Sequence, residues 1–103
     1  MARKVDLLPR AKRDLERLRD WLRQPGAGPR AAREFSEVKE AVRVLRQQPV
    51  TPPQSAIPGF REKVIHGCKI LYRVDPDTHR NSDAGDVLVA RIRLPFEDEP
   101  DAL

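Results

Sequence analysis

Between Leu8 and Leu22 apolar residues return every third or fourth position, at Leu8, Ala11, Leu15, Leu18 and Leu22. Trp21 lies beside the stripe, and Arg10, Lys12, Arg13, Glu16, Arg17 and Arg19 fill much of the remainder. That period predicts an amphipathic helix of about four turns. It stops before "QPGAG", where a proline and two glycines disfavour continuation. Pro9 suits the helix's first turn and ends a short strand predicted over "ARKVDLL". The helical period recurs at Ala31, Phe35, Val38, Val42 and Leu45, predicting a second helix from Pro29 to about Gln47. The connection is short, so the two helices should lie antiparallel.

Beyond Gln47 the pattern changes. "QQPVTPPQSAIPGF" is proline-rich and aperiodic, and reads as a surface crossover. Strands are predicted from Phe60 to Ile65, Lys69 to Val74 and Asp86 to Leu94. The first two join through a tight turn centred on Gly67. The last two are separated by "DPDTHRNSDAG", whose polarity predicts an exposed, mobile hairpin loop. Neither helix can bury its stripe alone, so the pair should lie across the sheet. The expected class is α+β: an N-terminal strand, an antiparallel helical hairpin, then a three-stranded antiparallel sheet. One domain is expected over residues 1–103, with 95–103 an acidic tail.

Length and composition narrow the function classes. A chain of 103 residues has room for one thin core, burying about 65% of its unfolded surface. The net charge of +4 favours an acidic partner without saying whether it is nucleic acid or protein. Cys68 is the only cysteine, which excludes an internal disulfide. Two histidines, one cysteine and scattered carboxylates give no zinc-site spacing, and no glycine-rich phosphate loop follows a strand. No metal and no cofactor are therefore expected. No apolar run approaches the roughly 20 residues of a membrane helix, and the start lacks the apolar stretch of a secretion signal. The expectation is a cytoplasmic protein.

Two sets of side chains are candidates for binding or chemistry. Alternation places Arg61 with Lys63, Lys69 with Leu71 and Arg73, and Arg91 with Arg93. If these rows face the same side, their cations converge where a phosphate or a charged transition state could be stabilised. The competing reading is an ordinary solvated sheet face. Tyr72 falls opposite the Lys69 row, with Ile70 and Val74, and should be a core tyrosine with its hydroxyl satisfied. The second set is Leu15, Leu18, Trp21, Leu22 and Phe35. These either pack the hairpin on its own sheet or leave Trp21 and one shoulder of the stripe open to an amphipathic partner segment.

Four stretches, "LLPRAKRDLERLRDWL", "AAREFSEVKEAVRVLRQQP", "GFREKVIHGCKILYRVD" and "DVLVARIRL", carry a resemblance that spans Val5 to Leu94. In the first, Ala11, Asp14 and Leu15 stand in the expected relation. Their order and spacing resemble the bacterial toxin superfamily of ParE and RelE, more closely its ParE branch. The resemblance implies the toxin of a type II toxin-antitoxin pair, neutralised by a ParD-like antitoxin whose tail folds along the helical hairpin and sheet edge. It further implies a heterotetramer or larger assembly in which operator DNA is bound only through the antitoxin. For the ParE branch it implies inhibition of DNA gyrase without a catalytic site. On that reading Arg61, Lys63, Lys69, Arg73, Arg91 and Arg93 meet the target, and Leu15, Leu18, Trp21, Leu22 and Phe35 meet the antitoxin.

RelE-like members instead cut messenger RNA on the ribosome, since one scaffold can carry both activities. That alternative would use Arg61, Lys63, Arg73 and Arg91. The chain departs from the nuclease branch at Leu94, Pro95, Phe96 and Glu97, where a tyrosine, or a histidine with basic residues, is usual. Phe96 can stack but cannot transfer a proton, and the acidic "EDEP" opposes an RNA path. The ending also departs from ParE relatives that finish on a histidine and a basic stretch. A non-toxic homologue that retains antitoxin binding is the third reading.

Overall fold

The computed structural model describes residues 3–95, so Phe96 and most of the acidic tail lie outside the described residues. The elements are β1 (Val5–Leu7), α1 (Pro9–Leu22), α2 (Pro29–Val44), β2 (Arg61–Ile65), β3 (Cys68–Asp75) and β4 (Asp86–Arg93). Both helices start on a proline, where the missing N–H costs no helical hydrogen bond. Leu8, expected to open the apolar stripe, is instead the N-cap of α1 and is exposed. After α2 the chain tightens through i to i−3 bonds from Leu45, Arg46 and Gln47.

The three later strands pair antiparallel as expected, and β1 joins them. It runs parallel to β4, with Val5, Asp6 and Leu7 opposite Val87, Leu88 and Val89. The result is one mixed four-stranded sheet in the order β1-β4-β3-β2. The parallel pairing has a topological cause. The helical hairpin carries the chain from β1 at one edge to β2 at the other in the same direction, and two antiparallel pairings then bring β4 back beside β1 and parallel to it.

The hairpin covers the sheet's first face. Leu18, Val38, Ala41, Val42 and Leu45 pack against Cys68, Ile70, Tyr72, Val74, Val87, Val89 and Ile92. Each such aliphatic side chain contributes about 1.5–3 kcal/mol when fully buried, so this seam dominates the fold's stability. Tyr72 is core, as alternation predicts, and its hydroxyl donates to the Pro49 carbonyl at 2.6 Å.

The β3–β4 loop is largely exposed, as its polarity suggests, but hydrogen bonds tie it down. The Arg3 guanidinium donates to the carbonyls of Asn81 (2.6 Å), Ala84 (2.8 Å) and Gly85 (2.9 Å), and also to that of Arg46. Asn81 Oδ1 accepts the Val50 N–H at 2.9 Å, and its Nδ2 donates to Thr51. Those polar groups tie the loop to the N-terminal strand, the end of α2 and the crossover.

Candidate functional site

The β2–β3 turn fixes which cations share a face. His66 and Gly67 both have positive φ, 50° and 77°, forming a two-residue turn of the kind that suits strand twist. Ile65 therefore stands opposite Cys68, and counting back places Lys63 opposite Ile70 and Arg61 opposite Tyr72. Directly opposed residues project to one side. Arg61 and Lys63 thus belong to the helix-covered face, whereas Lys69 and Arg73 belong to the second face. The single cationic surface that would gather all these rows does not form.

A β-bulge decides the side taken by Arg91 and Arg93. Tyr72 pairs with Val89 but Leu71 pairs with Arg91, leaving Ala90 as the extra residue. In an unbroken strand Arg91 and Arg93 would follow Val87 and Val89 into the core. The bulge reverses parity, so Ile92 enters the core opposite Ile70, while Arg91 and Arg93 fall opposite Leu71 and Lys69.

Three of the expected surface arginines are buried: Arg61, Arg91 and Arg93. Arg61 donates from Nε and Nη2 to the two Asp77 oxygens, at 2.6 and 3.0 Å. Its Nη1 donates to the carbonyls of Pro52 (2.7 Å) and Val50 (3.2 Å), and Nη2 reaches His79 Nδ1 at 3.1 Å. The hydrogen bond to Asp77 raises the Arg61 pKa and, reciprocally, lowers that of the Asp77 carboxyl. Arg91 Nε donates to Asp14 Oδ2 at 3.0 Å, and the same oxygen accepts the Ile92 N–H at 2.8 Å. Arg93 differs from both, because among the described residues its buried Nε and Nη1 have no hydrogen-bond partner.

Neither Asp14 nor Asp77 was identified from the sequence as a partner for these cations. Asp14 did leave a signal, since it falls three residues after Ala11 and four before Leu18, on the stripe that α1 buries. Among the remaining sheet cations, Lys63 and Arg73 are exposed and Lys69 is half-buried.

The helical set also divides. Leu18 is 1% exposed, which makes it core and removes it from any open surface. Leu15 borders a cavity of about 550 Å³ between β1 and α2, beside Val5, Leu7 and Val42. Leu22 and Phe35 border another of about 390 Å³ where the helices meet their connection. Trp21, half-buried, lines a neighbouring depression with Pro25 and Ala31. The exposed shoulder of the stripe is therefore at the hairpin's connected end.

Among the described residues no cluster of three or more His, Cys, Asp or Glu could hold a metal ion, and no helix is long and apolar enough to cross a membrane. Cys68 is buried, and desolvation pushes its thiol up to about 11.

No curated protein matches the chain. A solved structure of a chromosomal ParDE TA system from P. aeruginosa superposes with a TM-score of 0.68 and 18% identity, covering 89% of this chain and 95% of that one. At that identity the likeness shows a shared fold. A family profile described as "ParE toxin of type II toxin-antitoxin system, parDE" matches residues 5–93, nearly the whole described chain, and the protein belongs to that family of ParE toxins.

Proposed function

We propose that this ParE-family toxin inhibits DNA gyrase in the cytoplasm and is neutralised by a cognate ParD-like antitoxin, in a heterotetramer or larger complex. The observation that carries the choice of target is the separation of the four residues a ribonuclease would need. Phosphodiester cleavage requires an acid, a base and phosphate-stabilising donors converging on one group. Arg61 and Lys63 lie on the helix-covered face, and Arg73 and Arg91 on the other. The donors of Arg61 are committed to Asp77 and two carbonyls, and Arg91 is held by Asp14. Tyr72 cannot serve as a base, because burial raises its pKa and its hydroxyl is spent on Pro49.

Target contact then falls to the cations with accessible surface, Lys63, Lys69 and Arg73. The antitoxin is assigned to Leu15, Trp21, Leu22 and Phe35, whose half-buried side chains offer an apolar shoulder to an amphipathic segment. Leu18 supports them from beneath.

Induced expression with paired pulses of labelled thymidine and leucine tests the target. DNA synthesis is expected to fall first. Earlier loss of protein synthesis favours the ribosomal endoribonuclease, and no effect from soluble protein favours the non-toxic homologue. Arg73→Glu should remove the effect while leaving the melting temperature unchanged, because Arg73 is exposed. Arg61→Glu should instead unfold the protein, since it sets a carboxylate against Asp77.

A further inference from the structure

We propose that the outer edge of β1 is a docking site for an acidic, extended segment of a partner protein, which adds a further strand beside β1 and lays its side chains in the cavity between β1 and α2. The site shares only Leu15 with the apolar shoulder assigned to the antitoxin, and the inference stands whatever the toxin's target is. β1 is an end strand of the sheet. The Val87 N–H donates to the Lys4 carbonyl and the Leu8 N–H to the Val89 carbonyl, so Lys4, Asp6 and Leu8 turn their ladder groups towards β4. Val5 and Leu7, alternating with them, turn their N–H and C=O groups to the open side. Among the described residues those groups have no hydrogen-bond partner.

Beside this edge lies a groove and not a packed seam. The cavity of about 550 Å³ has Val5, Leu7, Leu15 and Val42 as its apolar lining. Val5, Leu7 and Leu15 are each half-buried, so an arriving side chain covers apolar surface that folding has left in contact with water. On its rim α2 contributes Lys39 and Arg43, one turn apart, and Arg46 stands in the turn that follows the helix. All three are exposed. Among the described residues that line the cavity Glu40 is the one carboxylate, and its 3.4 Å pair with Arg43 is exposed on both sides and weak. These features select the occupant. An open row of backbone donors and acceptors is continued by another strand, which a nucleic acid cannot supply. Alternate side chains of that strand face the cavity, where apolar residues meet Val5 and Leu7 and carboxylates meet the rim of cations. The three residues of β1 offer few ladder bonds, so the backbone sets the register and the side chains supply most of the affinity.

The test follows the Val5 and Leu7 amide signals of the ¹⁵N-labelled full chain at constant ionic strength. The probe is an acetylated, amidated heptapeptide, Thr-Glu-Thr-Val-Thr-Glu-Thr, whose Glu and Val side chains share one side of a strand. Both signals are expected to shift saturably and to exchange more slowly with water. Replacing Lys39→Gln and Arg46→Gln together should weaken binding about threefold or more, as the loss of exposed charge pairs does. Arg33→Gln, exposed on α2 but away from the cavity, should leave it unchanged.

Absence of a saturable shift overturns the proposal, and because that titration uses the native chain no variant has to fold. Equal binding of the same peptide with Lys in place of Glu overturns the acidic partner. Two further peptides carry N-methyl groups, one on every Thr and the other on Glu and Val. One of those sets must face β1, so undiminished binding of both overturns the added strand. If the Val5 and Leu7 signals move when the chain alone is diluted, a second copy occupies the edge and the partner proposal falls. A negative titration leaves gyrase inhibition and the antitoxin shoulder standing, whereas failure of the pulse-labelling test does not alter binding at β1.

Discussion

Asp14→Ala removes one carboxylate and leaves two buried donors stranded. Asp14 is 2% exposed, and its Oδ2 accepts both the Arg91 Nε–H and the Ile92 backbone N–H. Breaking a buried ion pair from one side costs about 3–5 kcal/mol, because the remaining charge is left uncompensated. An orphaned buried N–H costs about 1–3 kcal/mol more, in part overlapping the first figure. The expected loss is therefore about 4 kcal/mol, a large part of the roughly 5–15 kcal/mol available to a small domain. In melting temperature that is a fall of about 16 °C or more for a domain of this size. Asp14→Asn keeps an oxygen for Ile92 but not the charge for Arg91, so it should lose about half as much. Urea unfolding followed by circular dichroism measures both, with Glu40→Ala as the control. The Glu40–Arg43 pair is exposed on both sides, and its loss should cost about 0–1 kcal/mol. An Asp14→Ala protein within about 1 kcal/mol of wild type would refute the reasoning, showing that water or another group satisfies Arg91.

Asp77 gives a pH signature. Its hydrogen bond to Arg61 holds its carboxyl below the ordinary value, so it contributes stability above about pH 4 that fades as pH falls through the lower folded value. The melting-temperature gap between wild type and Asp77→Asn should be widest near neutrality and close towards pH 3. A gap that stays constant contradicts the pairing. Cys68 is 1% exposed with its thiol raised to about 11, so iodoacetamide should label it only as the chain unfolds, and rapid native labelling would show an open core. Gly85→Ala would place a Cβ 1.9 Å from the Asp75 carbonyl oxygen, and backbone must move to accept it. Its melting temperature should fall by about 10 °C or more, and an unchanged value would mean that the loop yields freely.

Much of the fold is legible because it follows from two periods, 3.6 in the helices and 2 in the strands. The errors come where a period is interrupted or a count is not carried across a turn. Tyr72 can be assigned to the core from "ILYRV" alone, and a two-residue turn at His66 and Gly67 then places Arg61 on the same side. Grouping Arg61 with Lys69 contradicts that assignment on sequence grounds alone. The bulge leaves a fainter trace in "DVLVARIRL", where the apolar positions shift from Val87 and Val89 to Ile92 and Leu94 around Ala90. The pairing of Arg61 with Asp77 was hidden for a different reason. Asp77 lies in a polar loop, and composition cannot distinguish a carboxylate that solvates a loop from one that turns inward.

The two satisfied arginines stand where regular sheet pairing ends. β1 accompanies β4 only as far as Val89, after which Leu8 donates to the Val89 carbonyl and the chain enters α1. The next stretch of that edge would be bare, and Asp14 fills the gap by accepting the Ile92 N–H while neutralising Arg91. On the opposite edge the crossover touches β2 only at its start, through the Gln54–Arg61 bridge and the Glu62 N–H donated to Pro53. There Arg61 joins the crossover carbonyls to the β3–β4 loop. Both pairs thus replace missing backbone partners at sheet ends with charge-assisted hydrogen bonds, which are about twice as strong as neutral ones. A short, strongly basic chain can therefore use its arginines as structural ties, and a count of cations along the strands overstates the surface available to a target. Arg93 lies beyond the bulge, with the parity of Arg91 but without its aspartate. Among the described residues no carboxylate holds its buried Nε and Nη1, so the bulge, and not an ion pair, accounts for where Arg93 lies.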